Sequence, residues 1–284
     1  MKVINYLIQS IIIYFFFLIG FIFRLNLSRR IFASIFCLLG PMFKSRKILE
    51  NNLKIFSQKI EYFNKEKIVK NMWKNYGMTF IEYIFLGHFR KNNNHVIFEG
   101  KENLLEVLKN DKPVIFISGH FANFELMSME ITKHNVPLAT IYRPLNNFFL
   151  NPLMEYLRKK NVCKNQIKKG IKGVKEAIEF IKKKHSIALM IDQRVSEGER
   201  INFFGHPALT TTLPAQLSMK YQMDIIPVYI KRLENNNFKI EFQKKIDPKD
   251  YKNKLELSKE LNTILEKMII MNPNQWIWTH NRWK

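Results

Sequence analysis

The stretch Val114-Ile115-Phe116-Ile117-Ser118-Gly119-His120-Phe121-Ala122-Asn123-Phe124-Glu125 reads as a strand that stops at a glycine and hands the chain to a helix. Its first five residues are apolar or small without polar alternation, the pattern of a strand buried on both faces. Gly119 permits the tight turn that follows, and residues 123–134 carry a helical pattern. The same alternation recurs along the chain. Strand-like runs at 137–142, 187–191 and 225–230 are interleaved with helical stretches at 147–160, 172–184 and 212–221. A further strand at 238–242 and an amphipathic helix at 254–271 close the series. Such alternation predicts an α/β fold, a mostly parallel sheet flanked by helices, with ligand-binding groups at the carboxyl ends of its strands.

Upstream of this body, residues 64–89 place Ile68, Met72, Tyr76, Phe80 and Ile84 at helical spacing and predict an amphipathic helix. Residues 3–23 contain no charge and are about as long as a helix needs to cross the hydrocarbon core. Arg24 follows directly, without the small-residue site of a cleaved signal, so a retained anchor is expected. Lys2 precedes the run and Arg24, Arg29 and Arg30 follow it, which predicts that the remainder faces the cytoplasm. A shallow insertion on one leaflet, helped by the apolar residues 31–39, would leave it on the same side. The expected organisation is a membrane-anchoring helix in residues 1–30, spanning or monotopic, and one domain in residues 31–284.

The formal net charge is +22, from 46 Lys and Arg against 24 Asp and Glu. It favours anionic partners, and two stretches concentrate it: residues 24–74 hold twelve basic against three acidic residues, and residues 158–184 eleven against two. These suit a membrane surface. No recognised nucleic-acid module accompanies them, so nucleic acid is not an expected partner. Cys37 and Cys163 form no C-x-x-C pair or Cys/His cluster, and neither an H-E-x-x-H motif nor a glycine-rich phosphate loop occurs. No metal site and no cofactor are expected.

His120 and Glu125 are the strongest chemical candidates. Five residues apart on one regular helix they would point about 140° away from each other. They can meet only if His120 sits in the turn and Glu125 in the first turn of the helix. Glu125 would then hold one imidazole nitrogen and leave the other to take a proton from a hydroxyl. Ser118 lacks the G-x-S-x-G elbow of a serine nucleophile.

Several ordered motifs resemble the late acyltransferases of lipid A biosynthesis. They are the amino-terminal anchor, Glu99-Gly100-Lys101-Glu102-Asn103-Leu104, the H-x-x-x-x-E of His120 and Glu125, Tyr142-Arg143-Pro144-Leu145, and Asp192-Gln193. Phe203-Phe204-Gly205 with Pro207-Ala208 and Thr210-Thr211-Thr212 continues the likeness, and the terminus from Pro273 to Lys284 completes it, with Asn281 where the family usually has Arg. The resemblance implies a fatty acyl transfer from acyl carrier protein to a hydroxyl of an anionic lipid A precursor at the bacterial inner membrane, with the catalytic domain facing the cytoplasm. It implies His120 and Glu125 as catalytic and Arg143, Asp192, Gln193, Phe204, Thr211 and Arg282 as substrate-binding, Arg143 towards a phosphate or the oxyanion. Transfer to another membrane glycolipid or glycerolipid is the near alternative. A non-catalytic basic membrane adaptor is the alternative of another class.

Overall fold

The computed structural model describes residues 2–110 and 112–284. Among the described residues there are nine strands: β1 Val96–Glu99, β2 Ile115–Ser118, β3 Leu138–Tyr142, β4 Asn165–Lys168, β5 Ser186–Met190, β6 Glu199–Phe203, β7 His206–Thr210, β8 Ile225–Arg232 and β9 Phe238–Phe242. Seven form one sheet in the order β1-β9-β8-β2-β5-β3-β4, and β6 and β7 make a separate antiparallel hairpin. All neighbours in the large sheet run parallel except β8 and β9. The expected mostly parallel α/β sheet is what the chain forms.

Alternate residues of the central strands point into two cores, as the pleat requires. Ile115, Ile117, Ile187 and Leu189 pack with Leu257, Leu261 and Leu265 on one face. Phe116 and Ala188 pack with Leu126, Met127 and Val228 on the other. Both faces are covered by helices, which are α1 Lys2–Ile22, α2 Arg24–Phe43, α3 Arg46–Ser57, α4 Lys65–Glu82, α5 Leu86–Lys91, α6 Lys101–Asn110, α7 Glu125–Lys133, α8 Asn151–Asn161, α9 Ile171–Lys182, α10 Leu213–Tyr221 and α11 Lys254–Met271.

Helix α1 is the one described helix long and apolar enough to cross a membrane. It exposes Ile4, Ile8, Ile11, Phe15 and Phe21 while burying Ser10, Phe17 and Gly20. The buried side docks on the domain: Ser10 donates to Asn147 Oδ1 at 3.0 Å and the Tyr14 hydroxyl to the Phe149 carbonyl at 2.9 Å. Helix α2 continues without a break through position 30, the boundary expected between anchor and domain. It lies close against α4 because Gly77 carries no side chain; a Cβ there would stand 2.2 Å from the Phe32 carbonyl oxygen.

A buried ion network ties these helices to the sheet. Glu82 at the end of α4 accepts from Arg29 Nε of α2 at 2.6 Å and from both terminal nitrogens of Arg232 on β8 at 2.5 and 2.9 Å. Its second oxygen also takes the Asn123 amide at 2.9 Å. Burial alone would raise the Glu82 pKa, but the two guanidinium groups hold it below the usual carboxylate range.

Candidate active site

Parallel register brings the central pair of residues together. Ser118 at the end of β2 is level with Met190 at the end of β5. His120 and Asp192 each lie two residues beyond those partners and so emerge side by side at the carboxyl edge. His120 Nδ1 is 2.8 Å from Asp192 Oδ1, and the His120 backbone N–H donates to Oδ2 at 2.9 Å. Trp276 Nε1 donates to the same Oδ2 at 2.8 Å. Asp192 is 2% exposed. Burial pushes its pKa up, but the His120 charge and these donors outweigh burial and hold it at about 2. An ionised Asp192 fixes the imidazole with its proton on Nδ1, which leaves Nε2 as the acceptor.

The turn that carries His120 is gripped from two sides. Gly119 allows a close approach, because a Cβ there would sit 2.8 Å from the Phe121 ring and 3.3 Å from Asp192 Cβ. Ala122 adopts φ 44°, the left-handed region, which costs a non-glycine residue about 1–2 kcal/mol. Its carbonyl takes the Thr79 hydroxyl of α4 at 2.8 Å, and its N–H donates to the Gln275 carbonyl at 3.1 Å. Phe121 forms a bridge with Trp276. The strain at Ala122 is offset by these contacts to α4 and to the carboxyl-terminal segment.

Glu125 begins α7, as its place in the first turn requires, but it does not reach His120. Its Oε1 accepts the Tyr83 hydroxyl at 2.5 Å and Arg158 Nε at 2.8 Å, and Arg158 also reaches the Tyr83 oxygen at 2.9 Å. The expected Glu125–His120 hydrogen bond is replaced by the His120–Asp192 pair. The reason lies in direction: β5 delivers Asp192 alongside the turn, whereas the start of α7 aims Glu125 at α8. Burial raises the Tyr83 pKa far above its ordinary value, so the phenol stays protonated. Burial opposes the Arg158 charge, but Glu125 and Tyr83 more than compensate and raise its pKa.

His120 and Glu125 line a cleft of about 1000 Å³. Arg143, Gln193 and Thr211 line it as well, and Ile13, Phe17, Phe36 and Phe80 from α1, α2 and α4 give it an apolar wall. The exposed Arg143 guanidinium has no ion-pair or hydrogen-bond partner among the described residues. Arg194, also in the wall, has a buried Nε without a partner among them. These two cations suit an anionic or carbonyl group in the cleft.

Two expected substrate contacts stand apart from that wall. Phe204 is 1% exposed at φ 53° and packs against Phe56, Phe203 and Trp283. Arg282 is wholly buried, donating to the Leu209 carbonyl and the Thr210 hydroxyl, both at 2.8 Å, and it lies over the Phe203 ring. Both fasten the carboxyl-terminal segment to the β6–β7 hairpin. Asp192 is likewise absent from the cleft lining and acts on His120 from behind. Tyr83, Arg158, Arg194, Trp276 and His280 complete the surroundings without having been singled out by spacing. His280 Nε2 accepts the Arg194 backbone N–H at 2.9 Å, and burial lowers its pKa to about 4. Among the described residues no group of His, Cys, Asp and Glu could hold a metal ion.

Comparison with known proteins adds to this geometry. Residues 1–284 match the family of bacterial lipid A biosynthesis acyltransferases. A lipid A biosynthesis acyltransferase of Haemophilus influenzae is 22% identical over 84% of this chain and 76% of its own length. A lipid A biosynthesis palmitoleoyltransferase of Escherichia coli is 22% identical over 86% of this chain and 80% of its own. Among solved structures, the 1-acyl-sn-glycerophosphate acyltransferase PlsC of Thermotoga maritima aligns with a TM-score of 0.44 at 14% identity, covering 87% of this chain and 98% of that one.

Proposed function

The chain belongs to the bacterial lipid A biosynthesis acyltransferase family, and from that premise we propose that it moves a fatty acyl group from acyl carrier protein to a hydroxyl of a lipid A precursor, with His120 as general base. The observation that carries this reading is His120 standing in a cleft with an apolar wall, its Nδ1 held by a buried, ionised Asp192.

In the proposed reaction Nε2 of His120 accepts the proton of the acceptor hydroxyl while its oxygen attacks the thioester carbonyl carbon. The new C–O bond forms, the tetrahedral intermediate collapses, and the C–S bond breaks. The imidazolium returns its proton to the departing sulfur, and Asp192 stabilises that cation while it exists. Arg143 and Arg194 offer N–H donors for the developing oxyanion or for a phosphate of either substrate. The acyl chain lies along Phe17, Phe36 and Phe80, where its burial contributes about 0.8 kcal/mol per methylene. Glu125, engaged with Arg158 and Tyr83, keeps an arginine neutralised within the cleft and locks α7 to α8.

The exposed apolar faces of α1 and α2 bind the inner membrane, with the catalytic domain on the cytoplasmic side, where an anionic lipid and a soluble donor both reach the cleft. The test is acyl transfer from radiolabelled lauroyl and myristoyl carrier protein to a Kdo-bearing lipid A precursor. Wild-type protein transfers label and His120→Ala does not. Transfer to a lysoglycerolipid instead, with none to the lipid A precursor, would reject the acceptor.

A further inference from the structure

The cleft has a second wall unlike the apolar one. At the junction of β4 and α9, Lys169, Gly170, Ile171, Gly173 and Val174 line it. Ile171, the first residue of α9, is 82% exposed. Lysines flank it along the chain: Lys168, Lys169, Lys172 and Lys175 are all exposed. Lys168 pairs with Glu155 at 3.1 Å, whereas Lys169, Lys172 and Lys175 have no ion-pair partner among the described residues. The first turn of α9 has no acid, so its unpaired backbone N–H groups add to the positive field. The helix's acids lie further on, at Glu176 and Glu179, the latter paired with Lys182 at 3.1 Å. Gly173 seats this corner firmly, since a Cβ there would fall 1.9 Å from the Lys168 carbonyl oxygen.

We propose that this lysine-ringed corner, with Ile171 at its centre, is the surface on which the acidic carrier protein docks to present its acyl thioester; the proposal rests on the transfer reaction set out above. Charge complementarity identifies the occupant as an acidic protein. A single apolar residue within a ring of lysines matches the apolar centre and charged rim of a protein contact. The broad apolar faces of α1 and α2, which do suit a bilayer, belong to other elements. The carrier's long arm enters beside Lys169 and Gly170 and runs past Arg143 towards His120, while the acyl chain continues to the apolar wall.

The experiment uses the full chain in neutral detergent and compares Lys172→Glu/Lys175→Glu with wild type. Initial rates are measured with lauroyl carrier protein and with lauroyl-pantetheine, an uncharged donor without a protein. Reversing two rim charges, a change of four units, is expected to raise KM for the carrier donor about tenfold or more, and salt, which screens the wild-type attraction, is expected to raise KM in the same direction. Kinetics with lauroyl-pantetheine are expected to stay unchanged. An equal rise for both donors, or no rise for the carrier, overturns the proposal. Loss of binding to phosphatidylglycerol vesicles with an unchanged carrier KM also overturns it and assigns the patch to the lipid surface. If wild type transfers from neither donor, the reaction itself fails. Direct binding of lauroyl carrier protein then judges the surface alone: affinity lost in the variant sustains it, and equal affinity refutes it.

Discussion

Replacing Asp192 with Asn tests whether this carboxylate sets the tautomer of the base. Its two oxygens accept from three donors: Oδ1 from His120 Nδ1, and Oδ2 from the His120 backbone N–H and Trp276 Nε1. An Asn offers one oxygen and one NH₂. If the oxygen serves the two donors that share Oδ2, the NH₂ faces Nδ1 and forces the imidazole proton to Nε2, where it blocks proton abstraction. The opposite orientation keeps the active tautomer but sets NH₂ against two buried donors, each costing about 1–3 kcal/mol when left unpaired. The active form is thus disfavoured by about 2–6 kcal/mol, and about 1.4 kcal/mol is a factor of ten in rate. Asp192→Asn should therefore lower kcat by about 30-fold to 10⁴-fold, with a smaller change in KM for the acceptor. Initial-rate assays with His120→Ala as the floor measure this, and thermal unfolding checks that the fold survives. Activity of a folded Asp192→Asn within a factor of about three of wild type would refute the tautomer argument.

The same structure yields three further expectations. Glu82→Gln leaves the Arg29 and Arg232 guanidinium groups facing a neutral amide inside the protein, and should cost about 3–5 kcal/mol in denaturant unfolding; an apolar replacement of all three residues should cost less. Gly77→Ala drives a methyl into the Phe32 carbonyl and should destabilise the α2–α4 contact by about 1–3 kcal/mol, read as a lower Tm. His280, held at about 4 against an ordinary 6.5, contributes stability that is complete above pH 6.5 and is lost as pH falls towards 4. Discounted for partial exposure, that loss is about 1–2 kcal/mol, and His280→Gln should flatten stability across this window, whereas the Asp192 contribution is lost only at lower pH, between 3.8 and about 2.

The sheet could be read from the sequence because its central strands are continuous apolar runs. The runs at 137–142, 187–191 and 225–230 correspond within two residues to β3, β5 and β8, and 238–242 coincides with β9. Elements without such a run escaped. Strand β4, Asn165–Lys168, is an edge strand with one fully buried residue, and β6 buries only Ile201 and Phe203 in a hairpin that stands off the main sheet. At the site, spacing pairs His120 with Glu125, whereas the structure pairs it with Asp192. Proximity along the chain favoured Glu125, five residues away, whereas strand register brings Asp192 from 72 residues away. Arg282 illustrates the converse: a charged residue in a family motif suggests a ligand, yet burial against the Leu209 carbonyl and the Phe203 ring makes it a fastener.

The carboxylate exchange has a mechanical consequence. Asp192 contacts the backbone of the His120 turn as well as its ring, and Trp276 donates to the oxygen that takes the backbone N–H, so the imidazole is fixed by the sheet edge and by the carboxyl-terminal segment together. The next residues of the turn are fixed by α4: Ala122 through Thr79, and Asn123 through Glu82. Glu82 in turn holds Arg29 of α2, the helix that shares the apolar face with α1. A displacement of α2 would therefore be resisted by a buried charge, Glu82, that is one hydrogen bond from Asn123 in the turn that carries His120. With the cleft wall itself made from α1, α2 and α4, the apolar wall and the turn that presents His120 belong to one packed unit. The proposed membrane attachment and the proposed catalytic geometry are then parts of a single packing problem. Loosening α2, as Gly77→Ala does, should disturb the turn through Glu82 as well as the apolar wall.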